Sequence, residues 1–187
     1  MFEKFIGLRN YVRSFQDYEY IKVFSTSFIY AGIICPALTF IPLFFALLIY
    51  DMPRRLQDWT KFAFFVPGLA SGVIISQIWR WIFQPQHGFL NWVLSLFGIK
   101  SVMWMAQKNT AILGISIMTI MGGMGIPLLI YLSNILSIDD EIFDAARMDG
   151  ANTIQIKSRI VFPLLIPSTL LVVLLTMGAG FYILERY

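Results

Sequence analysis

The segment from Ser137 to Gly150 holds the residues best suited to a specific interaction, because five carboxylates are interspersed there with small and apolar side chains. It contains no histidine or cysteine, so the nitrogen and sulfur ligands of a transition-metal site are missing from it. The sole histidine, His87, lies in a polar loop without a second candidate ligand nearby, which favours a solvated side chain. Cys35 is the only cysteine and lies in an apolar run, which indicates packing.

Signatures of catalysis are missing from the sequence. It contains no HExxH, no GxSxG, no acidic pair within an apolar segment and no phosphate-binding GxxxxGK[ST]. We therefore predict that the chain is not an enzyme and needs no cofactor, and that any ATP used with it binds to another polypeptide. A formal net charge of +3 is too small, and the basic residues are too scattered, for a nucleic-acid partner.

The acidic segment is predicted to form one helix. Ser137 can cap the first turn, the carboxylates that follow favour the positive end of the helix dipole, and Gly150 can end the helix in a left-handed conformation. At helical spacing, one stripe of this helix holds Ile138, Ile142, Ala145 and Asp149.

A second helix is predicted to follow, capped by Asn152 or Thr153, running through Ile154–Val161 and ending at Pro163. The resulting helix-turn-helix, residues 137–163, is longer than a connection between helices requires. Two interpretations of its apolar stripe stay open from the residues alone: the hairpin rests on its own bundle, or it offers a docking surface to a partner.

Long apolar segments flank this hairpin. Of the 187 residues, 58% are hydrophobic and only 13% are charged, which predicts a lipid environment for much of the surface. Four segments approach the length that crosses a bilayer as a helix: Val23–Tyr50, Phe62–Trp79 (extendable to Phe83), Asn109–Ile138 and Ile160–Leu184. We predict an all-α, polytopic membrane protein with about four transmembrane helices, forming a single domain over residues 1–187.

Two further segments carry local signals. Gly88 to Gly98 has apolar residues at helical spacing and is predicted to form a short helix at the membrane surface. Met121 to Pro127 is rich in glycine, which indicates either a bend beside a pathway or ordinary packing of small residues between helices. The distribution of lysine and arginine does not orient the spans.

The hairpin resembles the EAA motif of ABC-importer permeases, EAA-x3-G-x9-I-x-L-P. Asp144, Ala145 and Ala146 are followed at the motif's spacing by Gly150, Ile160 and Pro163, and Asp149-Gly150-Ala151 resembles the family's DGA. Two positions depart from the pattern: Asp144 replaces glutamate and Phe162 replaces leucine. The shorter Asp144 side chain puts in doubt any salt bridge that the family's glutamate makes.

This resemblance implies that residues 137–163 form a cytoplasmic coupling loop seated on an ATP-binding cassette subunit. It implies a multi-pass protein of the bacterial plasma (inner) membrane, paired with a second permease subunit and supplied by an extracellular or periplasmic solute-binding protein. The residues expected to couple to the ATPase are Asp144, Ala145, Ala146, Asp149, Gly150, Ala151, Ile160 and Pro163. Residues that contact the substrate cannot be assigned in this way.

Other segments resemble the carbohydrate-importing branch of the family. Phe5-Ile-Gly-Leu-Arg-Asn-Tyr11 is similar to a conserved permease segment after the first span, and Gly88-Phe-Leu-Asn91 with Gly98 and Trp104 is similar to an external loop. Sugars or related polar solutes are the implied substrates. Since such permeases usually have six spans, the chain is expected to be truncated at both ends. Two alternatives remain: a non-transporting membrane scaffold and a sodium-coupled carrier.

Overall fold

The computed structural model describes residue 7 and residues 15–70, 72–106 and 108–182, and no strand occurs among them. Its helices are α1 (Tyr18–Ile49), α2 (Arg54–Leu69), α3 (Gly72–Ile82), α4 (Phe89–Leu96), α5 (Lys108–Gly123), α6 (Gly125–Leu136), α7 (Asp140–Met148), α8 (Thr153–Leu164) and α9 (Ile166–Tyr182). The all-α prediction is confirmed. Except for Gly7, the segment Phe5 to Tyr11 lies outside the described residues, as does the end of the predicted fourth span.

Helix α1 confirms the first predicted span. It has 32 residues, and its apolar part reaches a mean hydropathy of 2.4. At about 1.5 Å per residue it exceeds the roughly 30 Å of a bilayer core. Phe28, Phe40 and Phe44 project from it with most of their ring surface exposed, which suits contact with lipid.

The other three predicted spans are each divided into two helices. Helices α2 and α3 meet at 105°, α5 and α6 at 43°, and α8 and α9 at 60°. Within the described ranges, one helix is therefore long and apolar enough to cross a membrane, and the count rises to four if each bent pair forms one span.

The prediction of one continuous helix from Phe62 to Trp79 is wrong. Helix α2 ends at Leu69 because Ala70 adopts an extended backbone, with φ −70° and ψ 145°. Pro67 and Gly68 precede this break. Proline cannot donate a hydrogen bond to the preceding turn, and glycine favours the helix poorly, so the last turn of α2 is weak. Apolar composition alone did not reveal this.

The glycine-rich segment between α5 and α6 forms both a bend and a close helix contact. A Cβ atom added to Gly125 would lie 2.8 Å from the carbonyl oxygen of Phe64 and 2.9 Å from the Cα of Phe65. Only a residue without a side chain lets α6 approach the backbone of α2 so closely. Gly123 packs against the Leu38 side chain in the same way, with an added Cβ at 3.2 Å.

The loop between α3 and α5 carries the predicted short helix, confirmed as α4. Asn91, buried on this helix, holds the loop together. Its amide nitrogen donates to the carbonyl oxygens of Pro85 and Val102 at 3.2 and 3.0 Å. Its amide oxygen accepts from the Val102 N–H at 3.1 Å and from the Trp104 indole N–H at 3.2 Å. This loop comes before the start of α5, whereas residues 137–163 come after the end of α6.

Candidate functional site

The candidate site is the hairpin of residues 137–163, which contains α7, a turn and α8; we name it the coupling hairpin after its predicted role. Asp139 is the N-cap of α7, and its side chain makes no capping bond. The prediction that Ser137 caps this helix is wrong. Its N–H and its hydroxyl group both donate to the Asn134 carbonyl oxygen, the hydroxyl at 2.8 Å, so Ser137 closes the preceding helix α6.

Gly150 ends α7 as predicted. Its φ angle is +81°, in the left-handed region that L side chains rarely adopt. The Gly150 N–H donates to the Arg147 carbonyl oxygen and the Ala151 N–H donates to that of Ala146, both at 3.0 Å. These two bonds form a Schellman motif, which satisfies carbonyls that the end of the helix leaves free. The turn into α8 therefore depends on glycine at this position.

Helix α8 begins with a capping box, so the prediction of Asn152 as its cap is confirmed. The Asn152 side chain accepts from the Gln155 N–H, and the Gln155 side chain accepts from the Asn152 N–H, both at 2.9 Å. This reciprocal pair fixes the direction in which α8 leaves the turn.

Pro163 lies in the last turn of α8, one residue before the helix ends at Leu164. Residues Lys157–Val161 form a π-helical turn, in which the Phe162 N–H donates to the Lys157 carbonyl oxygen. In a regular α-helix the proline ring would clash with the carbonyl of Arg159, four residues earlier. The wider π turn accommodates the ring, and π turns recur at functional sites.

One face of the hairpin is built into the protein core. Phe143 is 3% exposed and stacks on Tyr50, with ring centroids 5.7 Å apart, and Ala146 is 8% exposed. Burial and then the nearby carboxylate of Asp140 raise the pKa of the Tyr50 phenol. Further apolar residues of the hairpin join this core: Ile138, Ala151, Ile156, Ile160 and Val161.

The opposite face of α7 is open. Of the stripe predicted from the sequence, Ile142 is 42% exposed, and Ala145 and Asp149 are exposed as well. Of this stripe, the protein's own bundle therefore covers only Ile138, and Phe143 and Ala146 supply the covered face of α7. Met148 extends the open face and is 89% exposed, and Ile154 across the turn is 77% exposed.

Charge on the open face is predominantly acidic. Asp144 accepts a hydrogen bond from the Arg147 guanidinium at 2.8 Å, and both side chains remain largely exposed. An exposed i,i+3 pair of this kind stabilises a helix by only about 0.3–0.5 kcal/mol. Both groups can therefore exchange partners at little cost.

The structure brings most of the predicted coupling residues together around the end of α7. Asp144, Ala145, Asp149 and Gly150 are exposed there, whereas Ala146 is buried. Ala151 and Ile160 pack against the core, and Pro163 is exposed at the far end of α8.

Sequence reasoning did not identify three residues that connect the hairpin to the rest of the protein: Tyr50, Phe143 and Lys157. The 143/146 spacing could have indicated the buried face, since residues three apart share one side of a helix. The contact of Phe143 with Tyr50, and that of Lys157 with the end of α1, join positions far apart in the chain. No local pattern signals such contacts.

Comparison with known proteins identifies relatives along nearly the whole chain, although no family model matches. A probable ABC transporter permease protein, YurN of Bacillus subtilis, is 29% identical over 187 residues, which cover 97% of this chain and 63% of YurN. The osmoprotective compounds uptake permease protein GgtC of Synechocystis is 30% identical over 179 residues, covering 92% of this chain and 63% of GgtC. The chain thus spans about three-fifths of the length of these relatives.

The fold is shared with a solved structure. A chain of a bacterial ABC transporter involved in the import of the acidic polysaccharide alginate aligns with a TM-score of 0.86 at 22% sequence identity, covering 99% of this chain and 65% of that chain. The bent helices and the hairpin thus belong to a known membrane architecture. Along nearly its whole length, this chain is thus similar in sequence to permease proteins of ABC transporters.

Proposed function

We propose that the chain is the membrane-spanning permease subunit of an ATP-driven importer and that its coupling hairpin docks onto a separate ATPase subunit. A second permease subunit would complete the pathway, and a solute-binding protein would deliver the substrate from outside. The protein would reside in the plasma membrane of a bacterium as a multi-pass subunit. Sugars or related polar solutes are the proposed cargo, because relatives include permeases named for arabinooligosaccharides and for starch degradation products.

The observation that carries this proposal is the division of α7 into two faces. Phe143 and Ala146 fix one face to the core, while Ile142, Ala145 and Met148 follow each other along the open face at intervals of three residues. A polar loop gains nothing from presenting an almost fully exposed methionine to water. A cleft in a partner protein would cover this row, and the small Ala145 side chain would permit close approach.

Movement of a docked partner would reach the membrane through the hairpin's rigid connections. Helix α7 is joined to α6 by a turn of three residues, 137–139, and α8 leads into α9 at a bend of 60°. The core shared by α1, α6 and the hairpin contains Leu132 and Ile135, both fully buried. A force applied to α7 would therefore tilt α6 and α9 rather than bend a loose loop.

The docking test is Ala145→Arg. We expect a tagged variant to insert normally and to lose most of the ATPase subunit that co-purifies with the unchanged chain, because the long charged side chain would prevent close contact. Ala106→Arg is the matched control, since Ala106 is also exposed but lies in the loop before α5. Equal recovery of the ATPase with both variants would refute docking at this face.

Transport assays separate the proposal from its two alternatives. Cells that lack the chain are expected to lose uptake of labelled arabino- or maltooligosaccharides, and depletion of ATP in the parent strain should abolish the same uptake. A sodium-coupled carrier would instead follow the sodium gradient and tolerate ATP depletion. A membrane scaffold would bind no ATPase, and its deletion would leave uptake unchanged.

A further inference from the structure

Lys157 connects the coupling hairpin directly to the end of α1. Its ammonium group donates to the carbonyl oxygen of Leu47 at 2.8 Å and to the carboxylate oxygen Oδ2 of Asp51. These acceptors lie 110 and 106 positions away in the sequence. The Lys157 side chain is 22% exposed and that of Asp51 is 49% exposed, so water reaches the contact only in part.

Both acceptors belong to the negative end of α1. Leu47 lies in the last turn of that helix, where carbonyl groups have no following turn to bond with. The helix dipole adds partial negative charge at this end, and Asp51 adds a full charge just beyond it. One ammonium group thus satisfies a free carbonyl and neutralises a carboxylate together, and charge-assisted hydrogen bonds of this kind are short and directional.

The hairpin has no direct covalent connection to α1. The chain joins it to α6 through residues 137–139 and to α9 at Leu165. Apolar side chains also join the hairpin to the end of α1: Phe143 stacks on Tyr50, and Ala46 and Ile49 belong to the same buried core. These apolar contacts are individually weak and non-directional, whereas the Lys157 contact fixes a distance and a direction between two particular groups.

We propose that Lys157 is a positioning residue that makes α1 move as one body with the coupling hairpin. The inference rests on the proposed function, since it concerns how movement of a docked ATPase reaches the longest membrane helix. Without the Lys157 contact, α6 and α9 would still follow the hairpin through the chain, and α1 would lag behind them. The partner ATPase would then still hydrolyse ATP, but α1 would no longer move together with α6 and α9.

The test measures one distance in two nucleotide states. Spin labels are placed at Ser158→Cys on α8 and at Gly32→Cys on α1, with Cys35→Ser to remove the native thiol. Ser158 is exposed, and nothing lies within 4 Å of a Cβ added to Gly32. The complex, purified with its ATPase, is examined by pulsed electron paramagnetic resonance without nucleotide and with ATP trapped.

We expect the label distance to stay the same in both states for the otherwise unchanged chain and to shift with ATP in Lys157→Met by more than the width of the original distribution. Asp51→Asn should give a shift in the same direction. Lys157→Arg should keep the nucleotide-independent distance, because its guanidinium group can still donate to both acceptors, and a general packing role would not predict this difference from Lys157→Met. Lys61→Met is the matched control, because Lys61 forms a comparable pair with Asp58, at 3.0 Å, within a single helix.

Two failures are distinguishable. If no ATPase co-purifies with the unchanged chain, the proposed function fails, and the role of Lys157 fails with it. If the ATPase co-purifies and Lys157→Met keeps one distance in both states, the proposed function stands and the positioning role is overturned. A shift of the same size in Lys61→Met would also overturn that role, since it would show no special function of the Lys157 contact.

Discussion

At the scale of single residues, Gly150 has the most demanding conformation in the hairpin. Its φ angle of +81° costs a residue with a side chain roughly 1–2 kcal/mol, and a β-branched residue is among the least suited. Nothing lies within 4 Å of an added Cβ, so the demand on this position comes from the backbone rather than from packing.

Gly150→Val is therefore expected to redirect α8 and to lower both transport and the ATP turnover of the co-purified partner several-fold, while membrane insertion stays normal. Gly98→Val is the matched control. Gly98 has a φ angle of +71° and donates its N–H to Ser95 after a helix end of the same kind, but it lies in the loop before α5. Normal transport and ATP turnover in the Gly150 variant would refute its role.

Residue-level prediction succeeded where a local rule decides the structure. The left-handed glycine and the Asn152 cap both follow from backbone geometry within a few residues, and both were found in the sequence. The choice of buried face could not be made in this way. Burial of Phe143 depends on Tyr50, and the sequence gives no sign that these residues meet.

At the scale of elements, the close contact between α6 and α2 depends on Gly125. Gly125→Ala would place a methyl group 2.8–2.9 Å from the backbone of α2. Because the clash is with backbone atoms, no change of side-chain rotamer can relieve it. We expect the variant to be destabilised by about 1–3 kcal/mol, as for other overpacked interiors, and to unfold at a lower temperature in detergent.

Gly122→Ala provides the control for this prediction, because an added Cβ there meets nothing within 4 Å and alanine favours the helix over glycine. Its unfolding temperature should equal or exceed that of the unchanged chain. Equal stability of the two variants would show that α2 and α6 do not meet at Gly125.

The predicted elements were correctly identified as helices, but the breaks that divide three of the predicted spans were not predicted. Apolar length identified α1 correctly, since a long uncharged run admits few other structures in a membrane. The same criterion merged α2 with α3, because both are apolar and the break at Ala70 is a local backbone event. The short helix α4 was found because its apolar residues recur at helical spacing.

At the scale of the whole molecule, the hairpin is the point where the membrane bundle is proposed to meet a soluble partner. The bundle offers lipid an exposed apolar surface, with Phe40 and Phe44 on α1 and Leu174 on α9. The hairpin instead carries five carboxylates and three basic side chains, and it extends beyond the ends of α1 and α6. The chain spans about three-fifths of its relatives' length, and the complete transport pathway is proposed to include a second subunit.

The resemblance to ABC-importer permeases implies an orientation that the distribution of charge does not provide. Lysine and arginine counts on the two sets of loops leave the topology open, because the two sets are nearly balanced. The spacing of Asp144, Gly150 and Pro163 resembles the EAA motif, which implies that the hairpin lies on the cytoplasmic side. This placement is the claim on which the coupling role depends.

Labelling of Met148→Cys tests that claim most directly, with Cys35→Ser as background, because Met148 is 89% exposed at the tip of the hairpin. A membrane-impermeant thiol reagent is expected to leave it unmodified in intact cells, to modify it in inside-out vesicles stripped of the ATPase, and to react less once the ATPase is restored. Gln86→Cys, an exposed position in the loop before α5, should show the opposite accessibility. Modification of Met148→Cys in intact cells would contradict the coupling role outright.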